Sequence, residues 1–316
     1  MRRQVALTTL LFFATLCLAA DIERFSHIKI HRHRSAENRV LVDKLGKLTF
    51  DDANRKLIFE KTVEDKFDVP ERVEVGYDSA TKVVFEITTH MRGGGLAQVV
   101  SAIPSPIALA GPVIADQHVD DYWFYLAYKT GDRDEAVLLE IPKSSSRKII
   151  DKTVAIFGSR VVVNEFPEKG ESVEPEKLAD FKSKHVLKVD KQNRPVPETR
   201  ADQATIVVVC PPLAARDSGK GNQFKLHAND HVVAVNKAGT YSFAYLEPGR
   251  YRLVSQSANA NGFEMELEGG KTYYFLQNTF QGVFKWETKL SHNSAELVTY
   301  LMSGTYFSHW SRKGGP

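Results

Sequence analysis

The amino-acid sequence predicts a mainly β protein of two domains that are joined by a linker. Short runs of alternating apolar and polar side chains, separated by turns rich in Gly, Asn, Asp and Pro, recur on both sides of a charged middle segment. A pattern typical of an amphipathic helix follows the last strands of each β-rich region. The length of 316 residues and the 42% hydrophobic content are sufficient for two separate cores.

The first twenty residues have the pattern of a secretory signal peptide. Arg2 and Arg3 form a positive region, residues 5–16 form an apolar run that is too short to span a bilayer, and the small Ala19 and Ala20 offer a cleavage site. We therefore expect an exported protein, periplasmic or extracellular, with an uncleaved membrane anchor as the alternative. Without the two arginines, the formal charge falls from +3 to about +1, so we expect no general attraction to nucleic acid.

Removal of the signal would also remove Cys17 and leave Cys210 as a single cysteine. One cysteine cannot form an internal disulfide, so each domain must be stabilised by core packing. Cys210 follows an apolar run at 206–209, which predicts a buried, unreactive thiol at the end of a strand.

Residues 21–39 are predicted to form an N-terminal arm. The arm contains His31 and His33, which alternate with Arg32 and Arg34. Two histidines on one face of a strand could bind a metal ion, but no third ligand is close in the sequence. We therefore expect a solvated basic arm or an edge strand.

The first domain is predicted at residues 40–163, as a small barrel or sandwich with one packed helix. The helix is expected at 146–157, with Ser144 or Ser145 as its N-cap and Gly158 at its end. The predicted strands are 47–50, 56–60, 66–69, 72–75, 82–88, 122–128 and 136–141. The last but one of these strands is rich in aromatic residues, which favours a place in the core.

The order of these elements resembles that of pleckstrin-homology-like domains. The segments Gly46-Lys-Leu-Thr-Phe-Asp-Asp and Lys56-Leu-Ile-Phe resemble the opening hairpin of such domains. The resemblance covers about 110 residues and rests on element order rather than on a motif. It implies a β-barrel closed by a helix.

An apolar segment rich in Gly and Pro, residues 93–116, interrupts this domain. Its length approaches that of a membrane-spanning helix, but Pro104, Pro106 and Pro112 disfavour a continuous span. The segment either packs on its own domain or a subunit interface, or contacts a membrane, a lipid or an envelope protein. The predicted contacting residues are Leu96, Val99, Val100, Ile103, Ile107, Leu109, Val113 and Ile114.

Residues 164–203 have few apolar side chains and many charges, which predicts a linker with one helix at about 176–185. The second domain is predicted at 204–316, as an antiparallel β-sandwich with a C-terminal helix. That helix is expected at 294–302, with Asn293 as its N-cap. The predicted strands are 205–209, 223–227, 231–235, 240–245, 250–256, 263–267, 272–277 and 283–288.

Three motifs in this second domain carry a further resemblance. They are Gly239-Thr-Tyr-Ser-Phe, Glu247-Pro-Gly-Arg-Tyr-Arg-Leu and Glu268-Gly-Gly-Lys-Thr-Tyr-Tyr-Phe. Over residues 204–301 the chain resembles the bacterial family catalogued as domain of unknown function 2846. The resemblance implies an extracytoplasmic sandwich of immunoglobulin-like or prealbumin-like type and transfers no catalytic residue.

The sequence contains no phosphate loop, nucleophile elbow or zinc motif. We therefore expect a non-enzymatic binding or scaffolding protein of the bacterial cell envelope, with no cofactor and no metal. One alternative is a metal-dependent or hydrolytic enzyme that uses His118, Asp120 and Asp121. The other alternative is a structural subunit that forms an oligomer through the apolar segment.

Overall fold

The computed structural model describes residues 22–33, 41–62, 72–92, 117–212, 222–281 and 285–313. Within these ranges the protein is mainly β, with three sheets and two α-helices. The predicted signal peptide, the strand at 66–69 and the apolar segment 93–116 lie outside the described residues. Neither helix within the described ranges is long and apolar enough to cross a membrane.

The first sheet has eight strands in the order β4-β3-β2-β1-β7-β6-β5-β8. All neighbours are antiparallel except β5 and β8, which run parallel. The strands are β1 (Ile22–His33), β2 (Leu41–Asp51), β3 (Lys56–Lys61), β4 (Arg72–Gly76), β5 (Ala80–Arg92), β6 (Gln117–Thr130), β7 (Arg133–Ile141) and β8 (Val161–Glu165). Six of them correspond to predicted strands that are described, whereas β1 was expected as a solvated arm or an edge strand and β8 was not predicted.

Helix α1 (Lys143–Phe157) packs into the core of this sheet, as its amphipathic pattern predicted. Ile149 and Phe157 are buried, and the ring of Phe157 contacts Tyr77 with centroids 5.5 Å apart. The predicted serine N-cap is wrong, because the helix begins three residues earlier than expected and Pro142 precedes it without a side-chain cap. Gly158 ends the helix with φ +56°, a conformation that glycine adopts without strain.

Strand β1 corrects the prediction of a solvated arm or an edge strand. It lies between β2 and β7, in the middle of the sheet. Ile28 and Ile30 are fully buried, and His31 is buried against Trp123, with ring centroids 5.2 Å apart. The Nε2 atom of His31 also lies 3.5 Å from the carboxylate of Glu140. One of the two histidines that suggested an arm is therefore part of the buried side of a central strand.

The second domain is formed by two further sheets that pack against each other through a shared apolar cluster. One sheet has the order β10-β19-β14-β11-β17-β18 and the other β13-β12-β15-β16-β9. The strands are β9 (Glu171–Val173), β10 (His185–Asp190), β11 (Ala204–Cys210), β12 (Phe224–Ala228), β13 (His231–Asn236), β14 (Thr240–Leu246), β15 (Gly249–Gln256), β16 (Ala260–Leu267), β17 (Thr272–Gln281), β18 (Trp286–Asn293) and β19 (Tyr306–Arg312).

The prediction of a purely antiparallel sandwich is wrong at two places. Strand β11 runs parallel to β17, and β14 runs parallel to β19. Strand β19, which no sequence pattern predicted, thereby becomes an inner strand of the six-stranded sheet.

The predicted linker, residues 164–203, is part of the folded structure. Its strands β9 and β10 pair with β16 and β19 of the two sandwich sheets. A 3-10 turn over Pro175–Lys177 takes the place of the predicted helix. The ammonium group of Lys225 donates hydrogen bonds to the backbone oxygens of Asp180 and Phe181, at 3.1 and 2.9 Å. Arg312 also forms a 2.9 Å ion pair with Asp180, so charge contacts as well as strand pairing hold this segment on the sandwich.

Helix α2 (Ala295–Ser303) lies between the two domains. Its buried residues are Leu297, Val298 and Leu301. They share one apolar cluster with Trp123 and Leu138 of the first sheet and with residues of the six-stranded sheet, which include Val207, Val209 and Leu276. The hydroxyl of Ser294 accepts a hydrogen bond from the amide of Leu297 at 3.3 Å, so Ser294 is the N-cap and the prediction of Asn293 is wrong by one position.

We expect Leu301→Ala to lower the free energy of unfolding by about 2–5 kcal/mol, because it opens a cavity where the two domains meet. Leu301 is fully buried in that cluster. Urea unfolding followed by circular dichroism would measure the loss. Leu45→Ala is the matched control, since the Leu45 side chain is 42% exposed and its truncation should cost well under about 1 kcal/mol. Equal losses in the two variants would contradict the position of α2.

We expect Lys225→Met to loosen the segment before β10, because the carbonyl oxygens of Asp180 and Phe181 each lose their charged donor. The loss of stability should be roughly 1–3 kcal/mol. Amide hydrogen exchange of residues 178–185 should become faster than in the wild type. Lys182→Met is the control, because Lys182 is an exposed lysine of the same segment. If both variants exchange like the wild type, Lys225 does not hold the segment in place.

Candidate functional site

An open groove of about 490 Å³ lies where the two domains meet. One side of the groove is formed by residues 163–166, at the end of β8 and just beyond it. The other side is formed by Thr272 and Tyr274 of β17 and by residues 292–295, where β18 passes into α2. Ligand sites occur preferentially in such clefts between separately folded units, which makes this groove the candidate site.

A buried carboxylate, Glu86 of β5, joins the two domains beside the groove. Its Oε1 atom accepts a hydrogen bond from the side-chain amide of Asn293 at 2.5 Å, and its Oε2 atom accepts one from the backbone amide of Ser294 at 3.0 Å. Because Ser294 caps α2, the carboxylate lies at the positive end of the helix dipole. Burial raises the pKa of Glu86 above its ordinary value, and the hydrogen bonds from Ser294 and Asn293 oppose that rise.

A second polar contact lies next to the first. The Nδ1 atom of His292, on β18, lies 3.1 Å from the carboxylate of Glu168, and both side chains are largely buried. Burial raises the pKa of Glu168, but the hydrogen bond and the charge of His292 together with a backbone hydrogen bond outweigh it and leave that pKa below its ordinary value. The ring of Phe166 packs on the imidazole, with centroids 4.5 Å apart. The orientation of His292 is therefore set by a carboxylate and an aromatic ring.

The polar groups Glu86, Glu168, His292 and Ser294 are all engaged in contacts that connect elements of the structure. The hydroxyl of Ser294 caps α2, and the hydroxyl of Ser291 donates to the side-chain oxygen of Asn293 at 2.8 Å. Within the described ranges there is no group of three or more His, Cys, Asp or Glu side chains that could hold a metal ion. The groove thus presents polar and aromatic side chains together with exposed backbone, an arrangement suited to binding.

The alternative site at His118, Asp120 and Asp121 does not form one cluster. Asp120 and Asp121 are successive residues of β6, so their side chains point to opposite faces of the sheet. Asp120 pairs with Lys143 of α1 at 3.1 Å, and Asp121 pairs with Lys289 of β18 at 2.7 Å. Each carboxylate therefore ties β6 to a different element. His118 is paired with Met91 in the sheet, and its side chain lies outside the described residues.

The apolar segment 93–116 is attached at the ends of two paired strands. Arg92 is the last residue of β5, Gln117 is the first of β6, and the two residues are register partners. The predicted contacting residues, Leu96 through Ile114, all lie outside the described residues. The structure thus fixes where this segment leaves and re-enters the sheet.

Two other candidates are structural. Cys210 is fully buried at the end of β11, which confirms the predicted position, and burial raises the pKa of its thiol. Trp123 and Phe124 of the aromatic strand β6 are buried, Phe124 in the core of the first sheet and Trp123 in the cluster around α2. The aromatic strand therefore belongs to the core, as its composition predicted.

No protein-family model matches this chain, and no curated protein sequence matches it. The residues of the domain junction, Glu86, Glu168 and His292, were not identified from the sequence. A signal for one of them was present, because Glu86 interrupts the apolar run at 83–87 and a charge within a buried strand needs a partner. That partner lies more than two hundred residues away in the sequence, so no local pattern could identify it.

We expect the stability contributed by Glu86 to decrease as the pH rises. Its pKa in the folded protein lies above the ordinary 4.5, so the folded state binds the proton more tightly than the unfolded state does. The contribution is therefore complete below the ordinary pKa and is lost as the pH rises through the folded-state pKa. Relative to Glu86→Gln, which cannot titrate, the wild type should lose unfolding free energy as the pH rises above the ordinary pKa of 4.5 and through the folded-state pKa. Urea unfolding at several pH values measures this difference, and a constant difference would contradict the shifted pKa.

Proposed function

We propose that the protein is an exported, non-enzymatic binding or scaffolding protein of the bacterial cell envelope. It contacts a membrane, a lipid or a protein partner through the apolar segment 93–116. The observation that carries the proposal is the position of this segment between β5 and β6, the two longest strands of the described structure, at 13 and 14 residues. A segment inserted at the tip of such a hairpin leaves the core of its domain intact.

The second domain holds this hairpin in its middle part, a few residues before the apolar segment. Lys289 pairs with Asp121 at 2.7 Å, and both side chains are mostly buried. Glu86, on the neighbouring strand, binds the start of α2. Because charged pairs that are shielded from water are held more rigidly than surface pairs, the attachment point of the apolar segment keeps a fixed position relative to both domains. A fixed base reduces the ordering cost of any contact that the segment makes.

The finer fold assignments are part of the proposal. A strand order of 4-3-2-1-7-6-5, followed by a helix that packs into the core, supports a pleckstrin-homology-like first domain, to which β8 is an addition. Two sheets packed face to face support an immunoglobulin-like or prealbumin-like second domain of the kind that the resemblance to domain of unknown function 2846 implies. The two parallel strand pairs are a departure from that pattern.

The positions of Asp120 and Asp121 favour the binding proposal over the enzyme alternative, which needs both carboxylates at one site. Asp120 and Asp121 face opposite sides of the sheet, and each forms an ion pair with a lysine. A general base and its orienting carboxylate must lie within hydrogen-bond reach of one substrate position. The structural-subunit alternative needs the same apolar segment as the binding proposal, so the experiment below separates these two.

The mature chain, residues 21–316, should float with vesicles of phosphatidylethanolamine and phosphatidylglycerol in a density gradient, and Leu109→Asp should largely abolish flotation. A buried carboxylate at the bilayer costs about 2.5 kcal/mol or more, which would reduce membrane binding by well over tenfold. Val196→Asp is the matched control, since Val196 is 72% exposed on the second domain. His118→Ala should float like the wild type.

Sedimentation without vesicles completes the test. If the wild type stays at the bottom of the gradient and sediments as a monomer, the membrane form of the proposal is excluded. If it sediments as an oligomer that Leu109→Asp dissociates, the structural-subunit alternative replaces the proposal. If His118→Ala abolishes flotation and Leu109→Asp does not, the membrane contact lies outside the apolar segment.

A further inference from the structure

Strand β8 is the terminal strand of the eight-stranded sheet, and no strand among the described residues pairs with its outer edge. Just beyond β8, the amide of Phe166 donates to the carbonyl of Ile87 on β5 at 3.5 Å. Backbone groups alternate in direction along a strand, so those of Val162 and Asn164 also point towards β5. The N–H and C=O groups of Val163 and Glu165 therefore point away from the sheet.

The groove at the domain junction runs along this outer edge. Residues 163–166 all line it in succession. A strand that presents one face to a cavity contributes alternate residues, whereas a strand that presents its edge contributes consecutive ones. The groove therefore gives access to the unpaired backbone groups, and its volume of about 490 Å³ is sufficient for a ligand.

The side chains of β8 do not protect this edge. Natural edge strands commonly carry lysine or proline, which prevent pairing with another chain. Val161–Glu165 contains neither, and the side chains of Val162 and Val163 are 43% and 44% exposed. A β-branched residue on an open edge favours the addition of a further strand.

The negative charge of the groove indicates that the bound segment carries a basic side chain. Glu165 is exposed and has no ion-pair partner among the described residues, and no lysine or arginine lines the groove. His292, on the opposite side, is already bonded to Glu168. A basic side chain opposite Glu165 would therefore meet an uncompensated carboxylate.

We propose that the outer edge of β8 binds an extended segment of another polypeptide as an additional β-strand. The segment pairs with the free backbone groups of Val163 and Glu165. It places an apolar side chain against Val163 and a lysine or arginine opposite Glu165. This mode of recognition takes its affinity from main-chain hydrogen bonds and its specificity from alternate side chains. It is independent of the apolar segment 93–116, because it uses the free outer edge of β8.

The probe is a phage-displayed library of random linear peptides, panned on the mature chain. Enriched peptides should share alternating apolar residues and at least one basic residue, and synthetic copies should bind in a fluorescence polarisation assay. Val163→Pro removes the outward N–H group but no hydrogen bond to β5, and should weaken binding about tenfold. Glu165→Lys should weaken it several-fold, and Glu176→Lys, an exposed position away from the groove, should leave it unchanged.

Hydrogen exchange in the wild type provides a measurement that does not depend on the folding of the proline variant. A bound peptide should slow amide exchange at Val163 and Glu165, because their N–H groups become hydrogen-bonded. The proposal is overturned if no peptide is enriched. It is equally overturned if the enriched peptides bind Glu165→Lys as they bind the wild type and leave the exchange at Val163 and Glu165 unchanged.

Discussion

Helix α2 is packed between two sheets, and the arrangement of the whole molecule depends on that packing. The helix has only nine residues, too few to be stable alone in water, so it forms because its apolar side chains are buried on both sides. One side meets Trp123 and Leu138 of the first domain, and the other meets the outer face of the six-stranded sheet. Glu86 also fixes the orientation of the helix, because its carboxylate must meet the N-terminus of the helix.

The same packing explains the unusual burial of β11. All seven of its residues are buried, in contrast to the alternating pattern of a strand with one face in water. Ile206 and Val208 point into the sandwich core, whereas Val207 and Val209 belong to the cluster around α2. A continuous apolar run was thus a sign that both faces of the sheet are covered. Helix α2 and the first domain cover the face that lies outside the sandwich core.

The sequence predicted well those elements that are defined by local signals. Turns with Gly, Asn or Asp and alternating side chains identified most strands, and amphipathic spacing identified both helices. The missed strands β8, β9, β10 and β19 pair with strands that are distant in sequence, and the position of β1 inside the sheet depends on its pairing with the distant β7. His31 illustrates the reason, because its place in a strand rich in basic residues suggested exposure, whereas Trp123 and Glu140 provide a buried environment for it. The groove was unpredictable for the same cause, since its two sides come from segments more than one hundred residues apart.

Strand β5 connects the two proposed contact regions. On one edge it pairs with β6 and ends at the apolar segment, and on the other it pairs with β8, whose free edge lines the groove. Between these edges, Glu86 joins β5 to the start of α2 and thereby to the second domain. Because one strand carries both the attachment point of the apolar segment and the partner of β8, and a buried carboxylate fixes that strand, the sheet sets the distance from that attachment point to the free edge of β8. The two proposed contacts would therefore start from fixed positions on one sheet, an arrangement suited to holding partners in a defined geometry.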